Sequence, residues 1–177
     1  MNPSVQQHGV KSGVMYAIVG ILWTLYAYLF DANVFTKTWA SIIFLFISLG
    51  FYIYGVAMVK KDGGGFLSFK DAFSAFMVAA ITASAITTVF SILLMNVIDP
   101  EFAETVYDNI KVMAIERMES QNVPDEMVTT MMERLDENNP FELWSQVKNF
   151  FFGTAFSAIL GLIVAAAMKK KNPAELV

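Results

Sequence analysis

Residues 99–142 of this chain read DPEFAETVYDNIKVMAIERMESQNVPDEMVTTMMERLDENNPFE, a segment that we call the insert. It holds twelve of the sixteen carboxylates of the chain and only three cationic residues, although the net charge of the whole chain is −4. The remaining residues are therefore net positive. A charge asymmetry of this kind separates a solvated segment from the apolar runs on either side of it.

The insert has the pattern of two amphipathic helices joined at residues 120–123. Apolar residues in its first half recur every three or four positions and so share one helical face. They are Phe102, Val106, Ile110, Met113, Ala114 and Met118. In the second half, Pro124 followed by two acids indicates a helix start. The apolar face of this second helix consists of Met127, Val128, Met131, Met132 and Leu135.

The rest of the chain is too apolar for an ordinary soluble domain, because 56% of all residues are hydrophobic and 14% are aromatic. Apolar residues form four blocks close to the roughly 20 residues that a helix needs to cross a bilayer. The predicted spans are residues 13–30, 39–59, 72–98 and 144–168. A cleaved signal peptide is the rival interpretation of the first block, but the YLFD at its end, residues 28–31, is a poor cleavage site.

We therefore predict one all-α membrane domain over residues 1–177. It is a four-helix bundle with the insert as an extracytoplasmic helical hairpin between the third and fourth spans. Residues 1–12 are polar, and we expect a flexible tail there that contains His8, the one histidine of the chain.

Local signals predict where two of the spanning helices begin. Ser68 is a candidate N-cap, with Asp71 three residues later in a carboxylate variant of the capping box. Asn139 followed by Pro140 predicts the start of the last helix, before its apolar run begins.

The cationic residues predict the orientation of the bundle. With four spans, most lysines outside the insert fall on one side of the membrane, and Lys37 and the acidic insert fall on the other. The first group contains Lys11, Lys60, Lys61, Lys70 and Lys169–Lys171. Because Lys and Arg favour cytoplasmic loops, we expect both termini in the cytoplasm and the insert outside a bacterial inner membrane.

Small residues recur at intervals of four in the third and fourth spans, and such ridges allow close approach of helices in lipid. The predicted packing positions are Ala75, Ala79, Ala83, Gly153, Ser157 and Gly161. Two arrangements remain open, because the ridges can pack within one chain or between two copies of it.

The sequence offers little chemistry. It has no cysteine and one histidine, and the ionisable residues of the spans lie at their edges. We therefore predict no catalytic residues, no cofactor, no metal site and no nucleic-acid partner. Hydroxyl residues make the third span somewhat polar, and they either bond along their own helix or line a pore. They are Thr82, Ser84, Thr87, Thr88 and Ser91, with Asn96 near the end of the span.

Methionine-rich faces adapt to irregular partners, so the insert carries the candidate partner-binding residues. We select Phe102, Val106, Ile110, Met113, Met127 and Met131. The alternative is that the two helices bury these faces against each other or against the bilayer surface.

The GGFLSF of residues 64–69, the IDPEF of residues 98–102 and the lysines after the last span are similar to those of a known family. The chain resembles the bacterial membrane family called domain of unknown function 4199, common in Bacteroidota. The resemblance covers nearly the whole chain and implies a four-span inner-membrane protein. It implies no activity and no functional residues.

These observations predict an accessory or scaffold protein, not an enzyme, that lies in the lipid bilayer and contacts an envelope protein or a second copy of itself through the insert. The alternative is a small oligomeric transporter or channel component. In that case, changes at Thr87, Ser91 or Asn96 would alter flux.

Overall fold

The computed structural model describes residues 2–171, and over that range the chain is built of helices. The α-helices are α1 (Pro3–Leu29), α2 (Thr38–Asp62), α3 (Phe69–Leu93), α4 (Pro100–Ser120), α5 (Asp125–Glu137) and α6 (Leu143–Met168). A short 3₁₀ helix, Ala32–Thr36, connects α1 to α2, and a π-helical turn, Leu94–Ile98, extends α3.

Within residues 2–171, four helices are long and apolar enough to cross a membrane: α1, α2, α6, and α3 together with its π turn. The prediction of an all-α membrane bundle is therefore confirmed. The α2–α3 loop, the start of α1 and the end of α6 meet at one end of the bundle, which we call the loop end. There, Leu67 and Lys170 exchange two backbone hydrogen bonds of 2.8 Å. The insert covers the other end, which we call the insert end.

The prediction of a flexible N-terminal tail is wrong. α1 already begins at Pro3, and the side chain of Asn2 caps it by accepting a hydrogen bond from the Ser4 amide. The helix continues past the apolar block because its polar first turns have partners on α2. The hydroxyl of Ser4 donates to the Asp62 carboxylate at 2.7 Å, and His8 Nε2 lies 2.7 Å from the same carboxylate oxygen.

α3 is the central helix, and α1, α2 and α6 all pack against it. Its contact with α1 is made at two glycines. A Cβ atom on Gly13 would lie 2.5 Å from the carbonyl oxygen of Ala79, and one on Gly9 would lie 2.8 Å from Cβ of Val78. Backbone therefore meets backbone here, as small residues allow in membrane helices.

Of the two predicted helix starts, one is confirmed and the other is wrong. Ser68 caps α3 as predicted, because its hydroxyl oxygen accepts from the Asp71 amide at 3.0 Å. The last helix begins at Leu143, three residues after Pro140, so the second prediction is wrong. The chain turns at Asn139 instead, whose side chain accepts from the Phe141 amide at 2.9 Å. The turn lets Phe141 pack into the apolar cluster at the insert end.

Candidate functional site

The first turns of α4 form the base of the insert. Phe102 and Val106 are buried against the 3₁₀ helix and the π turn, in a cluster with Leu94 and Met95. The Phe102 ring meets the ring of Tyr28 edge-on, with centroids 4.9 Å apart. Because Phe102 and Val106 are buried within the protein, they cannot contact a partner in this structure. They are therefore removed from the six predicted partner-binding residues.

Hydrogen bonds hold the insert to the ends of the spans. Asp99 caps α4 by accepting from the Phe102 amide at 3.0 Å, and its other carboxylate oxygen accepts from the Tyr28 hydroxyl at 3.1 Å. The carbonyl of Phe141 accepts from the side-chain amides of Asn96 and Gln146, at 3.2 and 2.7 Å. The start of α4 and the start of α6 are thereby fixed to the bundle.

The end of α5 is attached to the middle of α4 through two residues. The hydroxyl of Tyr107 donates to the Leu135 carbonyl, and burial raises the pKa of this phenol, which keeps it a hydrogen-bond donor. Lys111 pairs with Asp136, and its Nζ lies 4.4 Å from the centre of the Tyr107 ring. The hydrogen bond to Asp136 raises the pKa of Lys111, so the ammonium group of Lys111 stays charged at neutral pH.

Beyond this attachment, α5 is exposed. None of its residues is buried, and the side chains of Met127 and Met131 are 62% and 49% exposed. Ile110 and Met113 on α4 are half-buried. Of the six predicted partner-binding residues, the structure therefore places Met127 and Met131 on an open surface, which we call the methionine face.

The helix that carries the methionine face is rich in carboxylates. Five of the thirteen residues of α5 are acidic and one is basic: Asp125, Glu126, Glu133, Asp136 and Glu137, against Arg134. The acids are spread along the helix, and within residues 2–171 no three His, Asp or Glu side chains come close enough together to hold a metal ion. At 3.6 residues per turn, these carboxylates lie on the side of α5 opposite Met127 and Met131, so α5 has an exposed apolar face and an acidic face.

The six predicted packing residues fall into two groups. Ala75, Ala79 and Ala83 are buried in the core, and Gly161 faces α3, where an added Cβ would lie 2.9 Å from the Phe76 ring. Gly153 has no atom within 4 Å of an added Cβ, so the α3–α6 packing does not extend to it. Gly153 and Ser157 instead line a cavity of about 560 Å³.

This cavity lies between α2, α3 and α6, with two α1 residues, Tyr16 and Thr24, in its wall. It exists because α3 packs extensively on both α2 and α6, while α2 and α6 hardly touch each other. Thr87 and Ser91 of the predicted polar face line it. Asn96 does not, because its side chain is directed to Phe141.

Two sets of residues escaped the sequence analysis. Gly9 and Gly13 form a small-xxx-small pair, but Gly9 fell inside the predicted tail and Gly13 at the start of the predicted span, so the pair was divided between them. Tyr107 and Lys111 lie off the apolar stripe of α4, and nothing in their spacing indicates that both contact the last turn of α5.

Four membrane-capable helices around a central α3, with a helical insert over one end, define a multi-pass helical membrane protein. The chain belongs to the family described as "Protein of unknown function (DUF4199)", whose profile matches residues 11–170. This confirms the family resemblance found in the sequence. Comparisons with curated proteins and with solved structures found no match.

Proposed function

We propose that this protein is a non-enzymatic accessory or scaffold subunit of a bacterial inner membrane that contacts an envelope protein through the methionine face of α5. The observation that carries the proposal is the exposure of Met127 and Met131 on a helix with no buried residue. Exposed, adaptable apolar side chains on a helix otherwise fixed at its end are typical of a docking surface.

The negative charge of α5 favours a protein partner over the bilayer surface. Membrane-surface helices usually carry Lys and Arg, because the headgroups of many bacterial lipids are anionic, and the carboxylates of α5 would be repelled by them. The same repulsion disfavours pairing of two copies through α5. An envelope protein segment that carries an apolar patch beside basic residues is complementary to the apolar face of this acidic helix.

The proposed orientation has both termini in the cytoplasm and the insert outside. It is supported by the lysines at the loop end, where Lys60 donates to the Met168 carbonyl at 2.9 Å and Lys169–Lys171 follow α6. Lysine-rich ends of this kind favour the cytoplasmic side.

The test is crosslinking and mild-detergent purification of the tagged protein at its native level, comparing wild type with the double variant Met127→Gln/Met131→Gln. The matched control is Thr129→Gln/Thr130→Gln, which adds the same side chain at two exposed positions of the same helix. We expect a captured envelope protein in wild type and control and its loss in the methionine variant. An identical set of captured proteins from all three would contradict the proposal.

A second copy of the chain as partner is tested by co-expressing two differently tagged copies. Co-purification of the tags that depends on Met127 and Met131 would replace the envelope partner with a homo-oligomer. The insert as a whole is unsuitable for deletion, because removing α4 would uncover Leu94 and Met95.

One observation favours the alternative of a transporter or channel component: Thr87 and Ser91 line the cavity. That function predicts proton or glycerol flux into proteoliposomes above protein-free liposomes, lowered by Thr87→Val and unaffected by the methionine variant. Flux equal to that of protein-free liposomes would eliminate it.

A further inference from the structure

We propose that the cavity between α2, α3 and α6 binds an uncharged amphiphile with a hydroxyl- or carbonyl-bearing head, such as a monoacylglycerol, taken from the membrane leaflet at the insert end. This binding site is independent of the methionine face and of the partner proposed for it. The cavity volume of about 560 Å³ lies within the range of small-molecule sites, roughly 300–1,000 Å³.

The cavity is built from regular helix faces, which distinguishes it from a packing defect. On each of three helices, the lining residues are three or four positions apart and therefore share one face. These faces include Ser48 and Tyr52 on α2, Ser84, Thr88 and Ser91 on α3, and Asn149, Gly153 and Ser157 on α6. Three helices thus direct polar side chains into one space at membrane depth.

The polar groups of the wall suit a neutral head that donates and accepts hydrogen bonds. The hydroxyls of Ser48 and Ser84 donate to carbonyls of their own helices at 2.8 and 2.7 Å. Their oxygens keep lone pairs that can accept from a ligand hydroxyl. Among residues 2–171, the side chains of Thr88 and Asn149 have no hydrogen-bond partner, so both can donate to a ligand carbonyl or hydroxyl.

The absence of charged side chains from the described cavity wall disfavours ligands with an ionised head. The lining contains no Asp, Glu, Lys, Arg or His among the residues that the structure describes. Transfer of a phosphate or carboxylate into such a site would cost its hydration without supplying a counter-charge. The anionic lipids that make up much of a bacterial membrane are therefore disfavoured, and a neutral glyceride is favoured.

The cavity has a polar mouth and a closed bottom. Gln146 and Asn149 lie near the insert end of α6, whereas Tyr52 and Leu160 lie nearer the loop end. Beyond them, the buried core around Phe76 and the Lys60–Met168 hydrogen bond close the bundle. An amphiphile can enter through the mouth, place its head among the polar groups of the wall and lead its tail out through the gap between α2 and α6.

Aromatic side chains complete the fit for a molecule with a tail. Phe150 and Phe156 of α6 line the cavity on the same helix as its polar groups, and Leu45 and Leu49 line it on α2. The cavity therefore offers apolar surface for a tail beside polar groups for a head.

The test uses a monoacylglycerol with a diazirine in its acyl chain, incorporated into phosphatidylcholine vesicles that hold the full-length protein. After photolysis, crosslinked peptides are mapped and their yields compared. We expect crosslinks on the cavity-facing residues of α3 and α6, competed by excess monoolein and not by excess phosphatidylglycerol with the same chains.

Two variants make the test specific. Gly153→Leu adds a side chain to the cavity wall, and no atom lies within 4 Å of the Cβ that the substitution adds. Gly50→Leu is the matched control, because Gly50 is equally open but lies outside this cavity. We expect the cavity crosslinks to fall about tenfold in Gly153→Leu, as overlap with an occupant requires, and to be unchanged in Gly50→Leu.

Three outcomes would overturn the proposal. They are crosslinks spread evenly over the lipid-facing surface, equal cavity yields in the two glycine variants, and equal competition by phosphatidylglycerol and monoolein. Thermal unfolding of both variants in detergent is the control for folding. Because Gly153 and Gly50 are both open positions, we expect neither substitution to prevent folding.

Discussion

Replacement of Gly13 by alanine is the sharpest test of the packing that holds the bundle together. The added Cβ would lie 2.5 Å from the Ala79 carbonyl oxygen and 2.9 Å from Cβ of Thr82. Ordinary contact begins at 3.4 Å, so α1 has to move away from α3 by about 0.9 Å at this level. The obstacle is backbone, which cannot rotate aside as a side chain can.

The size of the effect follows from two opposing terms. Overpacking of a tight contact costs about 1–3 kcal/mol. Gly→Ala within a helix contributes about 1 kcal/mol of stability in return. We therefore expect Gly13→Ala to lower the free energy of unfolding by up to about 2 kcal/mol.

Gly50→Ala isolates the packing term. Gly50 lies inside α2 and has nothing within 4 Å of an added Cβ, so only the helix-propensity gain of up to about 1 kcal/mol applies. The two variants should thus differ by about 1–3 kcal/mol, and this difference equals the packing cost.

The assay is reversible unfolding in mixed micelles of dodecylmaltoside and sodium dodecyl sulfate, followed by far-ultraviolet circular dichroism. Equal unfolding free energies for Gly13→Ala and Gly50→Ala would refute the reasoning, because they would mean that α1 and α3 are not in backbone contact.

Three further predictions concern the insert and the loops. Tyr107→Phe removes the hydrogen bond to the end of α5, so hydrogen exchange of the backbone amides of α5 should accelerate by the equivalent of about 0.5–1.5 kcal/mol. Mass spectrometry measures this exchange, and an unchanged rate would argue against the attachment of α5 to Tyr107. Asp31 forms a hydrogen bond with Lys37, which lowers the pKa of Asp31 below its usual 3.8. The pair therefore stabilises the loop above pH 3.8 and loses this effect as the pH falls through the lowered pKa. The unfolding free energies of wild type and Asp31→Asn should differ at neutral pH and converge in acid. Because the chain has no cysteine, Ser120→Cys and Lys61→Cys each carry a single thiol; an impermeant maleimide added to intact cells should label only the first, and the reverse pattern would invert the proposed orientation.

The length of α1 shows where sequence reasoning failed. Hydropathy alone gives a span beginning near residue 13, because residues 1–12 include Gln6, Gln7 and His8. The helix nevertheless begins at Pro3, since Ser4 and His8 have a polar partner in Asp62, more than fifty residues away. A contact at that sequence separation leaves no trace in local composition.

The candidate sites show the same division. The amphipathic period of the insert correctly indicated two helices and a methionine face on the second, since helical spacing is a local property. It could not separate Phe102 and Val106, which are buried, from Met127 and Met131, which are exposed, because both pairs have the same spacing. Which face is covered depends on where the π turn and the 3₁₀ helix place their own apolar side chains.

The sequence by itself determined the number of spans, the membrane class, the insert and the family, because long apolar runs, charge clusters and short motifs are properties of contiguous residues. Only the tertiary structure decided that α3 is the centre of the bundle, that Gly13 rather than Gly153 lies at a close approach of two helices, and that α2 and α6 stand apart around a cavity. The physical reason is that, in lipid, apolar surface is equally stable against a neighbouring helix or against acyl chains. Hydropathy therefore cannot tell which helix faces pack together, whereas small residues that let two backbones approach decide it.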